Sequence, residues 1–177
     1  MKFFPGHVLI AAVLSATATV AMAQESTNQV PAKTDWSVFT DPPEGKPTVC
    51  WGVSSPKETI NTKDGAPASV RRSDILLFVS FNIEGPGTRQ ISFTSGYPFA
   101  DKSTVKVQVA DSTFEMMTKG EYAYTLDNAS DDALLAALKG GDIAILTAAS
   151  GKGTKTQDTF SLRGFTAAMA EAETRCK

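Results

Sequence analysis

Residues 104–118 read TVKVQVADSTFEMMT, and this stretch decides the fold. Val105, Val107 and Val109 alternate with Thr104, Lys106 and Gln108, the two-residue period of a strand with one face buried and the other in water. Ala110-Asp111 then reads as a tight turn, and residues 113–118 return as a second strand. Working outward, strand signals recur at WSVFT (36–40), TVCWGVS (48–54), QISFT (90–94), YAYTL (122–126), IAILTA (143–148) and TQDTFSL (156–162). ILLFVSFNI (75–83) is nearly continuous in apolar residues, as expected of a strand covered on both faces. DPPEGKP (41–47) and EGPGT (84–88) are turns, and residues 55–68 read as a long polar loop. About eight or nine strands with short connections predict a mainly β domain, an antiparallel sandwich or barrel.

Two short helices interrupt this pattern. SDDALLAALKG (130–140) carries its own start and stop. Ser130 or Asn128 can cap the free N–H groups, Asp131 and Asp132 suit the positive end of the dipole, and Gly140 can supply a left-handed stop. A C-terminal helix is predicted over residues 165–175. Phe165, Met169, Ala172 and Cys176 fall on one face of a 3.6-residue period.

The N-terminus reads as an export signal. Met1-Lys2 is positive, residues 8–20 form an uncharged apolar run, and Ala21-Met22-Ala23 has the small-x-small pattern of a signal-peptidase site. The division expected is a signal peptide over 1–23, cut near Ala23-Gln24, a flexible polar leader over 24–34, and one β domain over 35–177. The apolar run falls short of the roughly 20 residues of a bilayer crossing, and no other segment comes near it, so no transmembrane segment is expected in the mature protein. The only histidine, His7, leaves with the signal. So does Lys2, which leaves 16 of 17 basic residues against 19 acidic ones, a net charge of −3.

An imidazole-free chain excludes Ser-His-Asp and Cys-His catalysis and the usual histidine-bearing zinc site. A mildly acidic balance without a basic stripe argues against nucleic acid. Cys50 and Cys176 survive cleavage; in an oxidising compartment they are most simply one disulfide, two separate buried thiols being the alternative. No cofactor, metal site or catalytic residue is predicted.

Some motifs invite chemistry they do not support. SGKGT (150–154) lacks the early glycine of a phosphate loop, since Leu146 stands there, and the residues after it read as strand, so a hairpin is expected. Asp131 and Asp132 are neighbours in a helix's first turn and do not face one another as a glycosidase pair must. Asn128-Ala129-Ser130 is a glycosylation sequon only in a eukaryotic secretory pathway. In SGYPF (95–99), Tyr97 and Phe99 either form an exposed interaction loop or pack over the end of the domain.

Trp36 followed by Cys50, the Gly96-Tyr97-Pro98-Phe99 loop and Asp132-Ala133-Leu134-Leu135 leading into Lys139-Gly140 together resemble the invasion-associated locus B family of bacterial exported proteins. So do Ser150 through Thr154, residues 158–168 and the terminal Cys176. The resemblance covers nearly all of residues 35–177. It implies an immunoglobulin-like β-sandwich in the envelope of a Gram-negative bacterium, periplasmic, outer-membrane-associated or secreted. It brings no catalytic or ligand-binding residue. The function expected is a non-enzymatic interaction module whose partner is an unknown envelope protein or glycan. The alternatives are a carboxylate-based hydrolase of envelope glycans and a small-molecule carrier using the interior.

Overall fold

The computed structural model describes residues 29–82, 85 and 88–177, with side chains from Thr34 onward. The signal segment 1–23, the first half of the leader, Ile83, and three residues of the expected turn at 84–88 lie outside the described residues. In chain order the elements are β1 Gln29–Lys33, β2 Trp36–Asp41, β3 Val49–Ser54, β4 Glu58–Lys63, β5 Ala66–Pro67, β6 Leu76–Phe81 and β7 Arg89–Thr94. There follow β8 Thr104–Val109, β9 Ser112–Lys119, β10 Tyr122–Tyr124, α1 Asn128–Gly140, β11 Ile143–Ala149, β12 Lys155–Ser161 and α2 Phe165–Arg175.

The strands form one hydrogen-bonded antiparallel run in the order β1-β2-β3-β6-β7-β10-β9-β8-β11-β12-β4-β5. All nine expected strands are present, and three more bring the number to twelve among the described residues. One of the three corrects the leader: Gln29–Lys33 pairs with β2, its register slipping between Val30 and Lys33. Pro31 is tolerated there because an edge strand need not donate on both sides. The other two correct the polar loop. Residues 55–68 contain a hairpin whose two-residue turn, Asp64-Gly65, has φ of 51° and 81°. Asp-Gly is the pair that such a turn favours, but with few apolar side chains β4 gives no alternation to read.

The run curls so that its inner faces meet. Phe93 of β7 lies edge-on to Phe160 of β12, ring centroids 6.1 Å apart. The start of β2 is fastened to the far end of β12, where Trp36 Nε1 donates to the Ser161 carbonyl at 2.9 Å and Ser161 Oγ donates to Asp35 at 2.7 Å. Leu77, Val79, Val105 and Val107 are fully buried and Ile75 packs against the same core, which argues against the carrier alternative.

Helix α2 covers β2 and β3. Phe165 meets Trp36 edge-on at 4.8 Å, and Met169 packs so close to Gly52 that a Cβ there would lie 2.1 Å from its Sδ-methyl carbon. Just past the helix, Cys176 is disulfide-bonded to Cys50 of β3 across a sequence separation of 126 residues. This closes nearly the whole domain into one covalent loop.

Helix α1 starts earlier than expected. Its cap is Asp127 rather than Ser130 or Asn128, and the Asp127 carboxylate accepts from Ser130 N at 2.8 Å and Ser130 Oγ at 2.7 Å. Those bonds, the hydroxyl's foremost, hold the Asp127 carboxyl below its ordinary value. The stop also differs. Gly140 is helical and the following Gly141 is extended, with φ −98°. A Cβ on Gly141 would sit 2.5 Å from Val109 Cγ1, so close packing and not a left-handed turn requires glycine. Asp131 is buried and accepts from Ile91 N at 2.7 Å and Thr125 Oγ1 at 2.5 Å, pinning α1 to β7. Asp132 instead pairs with Arg89 at the surface.

Candidate functional site

A groove of about 530 Å³ opens where three irregular segments meet. The segment 70–72, the Gly96-Tyr97-Pro98 loop and the 150–154 hairpin line it, together with Glu121. Its size is that of a small-ligand site.

What fixes these segments is a buried polar network. Arg72 donates through both terminal nitrogens to Asp158 of β12, at 2.7 and 2.6 Å, and through Nε to the Ser95 carbonyl at 2.8 Å. Both side chains are almost fully buried, at 5% and 1% exposure. Burial pushes the Asp158 carboxyl up, with the Arg72 guanidinium pulling the other way. The same guanidinium lies over the Tyr97 ring, 5.1 Å from its centroid. The Tyr97 hydroxyl lies 2.6 Å from Thr156 Oγ1, and burial raises its pKa. Gly96 has φ +71°, and a Cβ on it would meet the Ser73 carbonyl at 2.5 Å, so both conformation and space demand glycine.

The hairpin is stitched to the loop. Gly151 N donates to the Pro98 carbonyl at 3.1 Å and Ala100 N to the Ala149 carbonyl at 2.9 Å. Inside it, Ser150 N donates to Thr154 O at 2.8 Å and Gly153 N to Ser150 O at 2.9 Å. Lys152 N and Thr154 N donate to Ser150 Oγ at 3.3 and 3.1 Å. Every backbone N–H from 150 to 154 is therefore taken, so the segment that mimics a phosphate loop has none left to cradle a phosphate. The hairpin expectation holds.

Of the two residues of the expected interaction loop, Tyr97 borders the groove and is half-buried, while Phe99 points into the core against Phe93 at 6.3 Å. Arg71, Arg72 and Glu121 carried no readable signal beyond their charge. Arg72 and Asp158 are 86 residues apart in the chain. The acids do not form a hydrolase pair in the groove, where Glu121 stands without a second carboxyl. Glu115 and Asp127 share another, shallower depression, but Asp127 is committed to capping α1, and its lowered pKa is the reverse of what a general acid needs. The hydrolase alternative finds no support. Among the described residues no three metal-ligating side chains cluster, and no helix is long and apolar enough to cross a membrane.

A second surface bears comparison. The outward positions of β3 and β6 carry Trp51, Val53, Leu76 and Phe78, half-buried, with Phe39 stacked on Trp51 at 5.7 Å. It is uncharged and aromatic, as interface cores are. The groove is the stronger candidate because polar groups converge on it and its walls are locked.

The family model described as Invasion associated locus B (IalB) protein matches residues 36–173. Among solved structures, the crystal structure of invasion associated protein b from Bartonella henselae is similar, with a TM-score of 0.53 at 17% identity over 81% of this chain and 94% of that one. At that identity the likeness speaks for the fold alone. No curated protein matches the chain.

Proposed function

The chain belongs to the invasion-associated locus B family, and from that premise we propose that it is an exported, non-enzymatic binding module that meets an envelope partner at the groove. The observation that carries this reading is the Arg72–Asp158 pair. Two charges are withdrawn from water, at a cost of several kcal/mol each that mutual attraction barely recovers. In return, three loops are held in one geometry around an open groove. Preorganisation of that kind raises affinity by reducing what must be ordered on binding.

Export and loss of residues 1–23 belong to the same proposal. The Cys50–Cys176 bond supports them, because such staples persist in oxidising compartments such as the periplasm. So does the sandwich reading of the curled sheet, supported by the Phe93–Phe160 contact between its halves. An envelope protein or glycan is the partner class.

The test is site-specific photo-crosslinking in intact cells. A photoreactive residue at Pro98 should capture one defined partner, and the same residue at Lys106, on the outer face of β8, should not. Equal capture at both positions, or none at Pro98 under several growth conditions, would overturn the groove as the binding site.

A further inference from the structure

We propose that the groove recognises an isolated carboxylate within an apolar peptide segment, and that Arg71 and Lys152 are the two residues that read its charge. This rests on the binding-module reading and adds the chemistry of the ligand. Arg71 and Lys152 line the same groove from two different segments, and both are exposed. Neither side chain has an acidic partner among the described residues. Their backbones are not free to drift. Arg71 precedes Arg72, whose guanidinium is held by Ser95 and Asp158, and Lys152 sits at the tip of a hairpin whose five N–H groups are all committed. The cation pair stands out in a chain whose formal net charge is −2.

The remaining lining narrows the ligand. Val70, Pro98 and the half-buried Tyr97 give the groove an apolar lining, which suits short aliphatic side chains beside the carboxylate. Because the hairpin offers no free N–H, its hold on an anion comes from the Lys152 charge without the backbone cradle of a phosphate loop, which favours carboxylate over phosphate. Glu121, which also lines the groove, repels a second negative charge, so a polyanion such as a polyuronate or a nucleic acid fits worse than a peptide with one acid between apolar neighbours.

The experiment uses the oxidised protein lacking residues 1–23 and an array of acetylated, amidated pentapeptides. Each carries a central glutamate or aspartate between leucine, valine or proline, beside its glutamine or asparagine counterpart, with polygalacturonate as competitor. Acidic members should bind at least tenfold more tightly than their amides. Raising salt should weaken them, and binding should fall at least tenfold in R71Q/K152Q at unchanged Tm. Equal binding of the amides, an unaffected R71Q/K152Q variant, preference for polygalacturonate, or no binding by any member would each overturn the proposal. If crosslinking at Pro98 still captures its partner in that event, only the charge assignment fails. If Pro98 captures nothing, the groove itself is lost as the site.

Discussion

The helix-covered side of the sheet and the groove are held by opposite kinds of force. Under α2, Trp36, Phe165 and Met169 are buried against one another and a disulfide fixes the helix end; the residues that α2 itself buries, Phe165, Ala168, Met169 and Ala172, are all apolar. Around the groove, the contacts that matter are a buried ion pair, a tyrosine hydroxyl and a serine bracing a hairpin. Apolar packing and a covalent link contribute most of the stability. A buried polar network demands one geometry and contributes little net stability. On the proposed reading, the first region keeps the molecule folded and the second is the one that meets a partner.

The largest effect should come from the first region. Replacing Cys176 with serine opens a loop of 126 residues, for which chain entropy sets an upper value of about 4–5 kcal/mol. Urea unfolding of C176S against the oxidised protein should show a loss approaching that figure. A loss below about 1 kcal/mol would mean that α2 needs no staple. Next comes the network. Arg72→Met alone leaves Asp158 buried without a counter-charge and should cost about 3–5 kcal/mol, whereas R72M/D158L together should recover most of it. If the double variant is as unstable as the single, the pair is a source of stability and the contrast is wrong.

Smaller is Gly52→Ala, which drives a methyl into Met169; overpacking of this kind costs about 1–3 kcal/mol, toward the low end because the end of Met169 can swing away. Thermal melts of G52A and G52A/M169A should show the second change relieving the first.

The smallest effect concerns pH. Asp127 and Asp35 both have carboxyl pKa values lowered from 3.8, Asp127 by Ser130 and Asp35 by Lys57 and then Ser161. A lowered folded-state pKa contributes stability that is present above the unfolded value and lost as pH falls through the folded one. Melting temperatures should therefore decline below about pH 4, and less steeply in D127N and D35N. Parallel acid limbs in all three proteins would remove these two carboxylates from the account.

How far the sequence reaches follows the same division. All nine predicted strands, α2 and the cysteine pair are legible, because apolar patterning and a chain with only two thiols leave few readings. Hidden from that reading were β1 and the β4–β5 hairpin, edge elements with little apolar surface to impose a period. The cap of α1 was displaced to Asp127, because Asn128, Ser130 and Asp131 all belong to the residue types that cap helices. Asp131, read as a dipole residue, is a buried anchor for the N–H of Ile91. The groove was least legible of all. Tyr97 and the 150–154 hairpin are separate motifs in the sequence, and only the fold brings Arg72 over the Tyr97 ring and onto Asp158 of the strand that follows the hairpin.

One measurement bears most directly on the division of labour proposed here: acidic-peptide affinity and Tm in the R72M/D158L variant, side by side. The account predicts a melting temperature close to that of the parent protein with binding weakened tenfold or more, because the core survives while the groove walls lose their brace. Undiminished affinity in a stably folded double variant would contradict it.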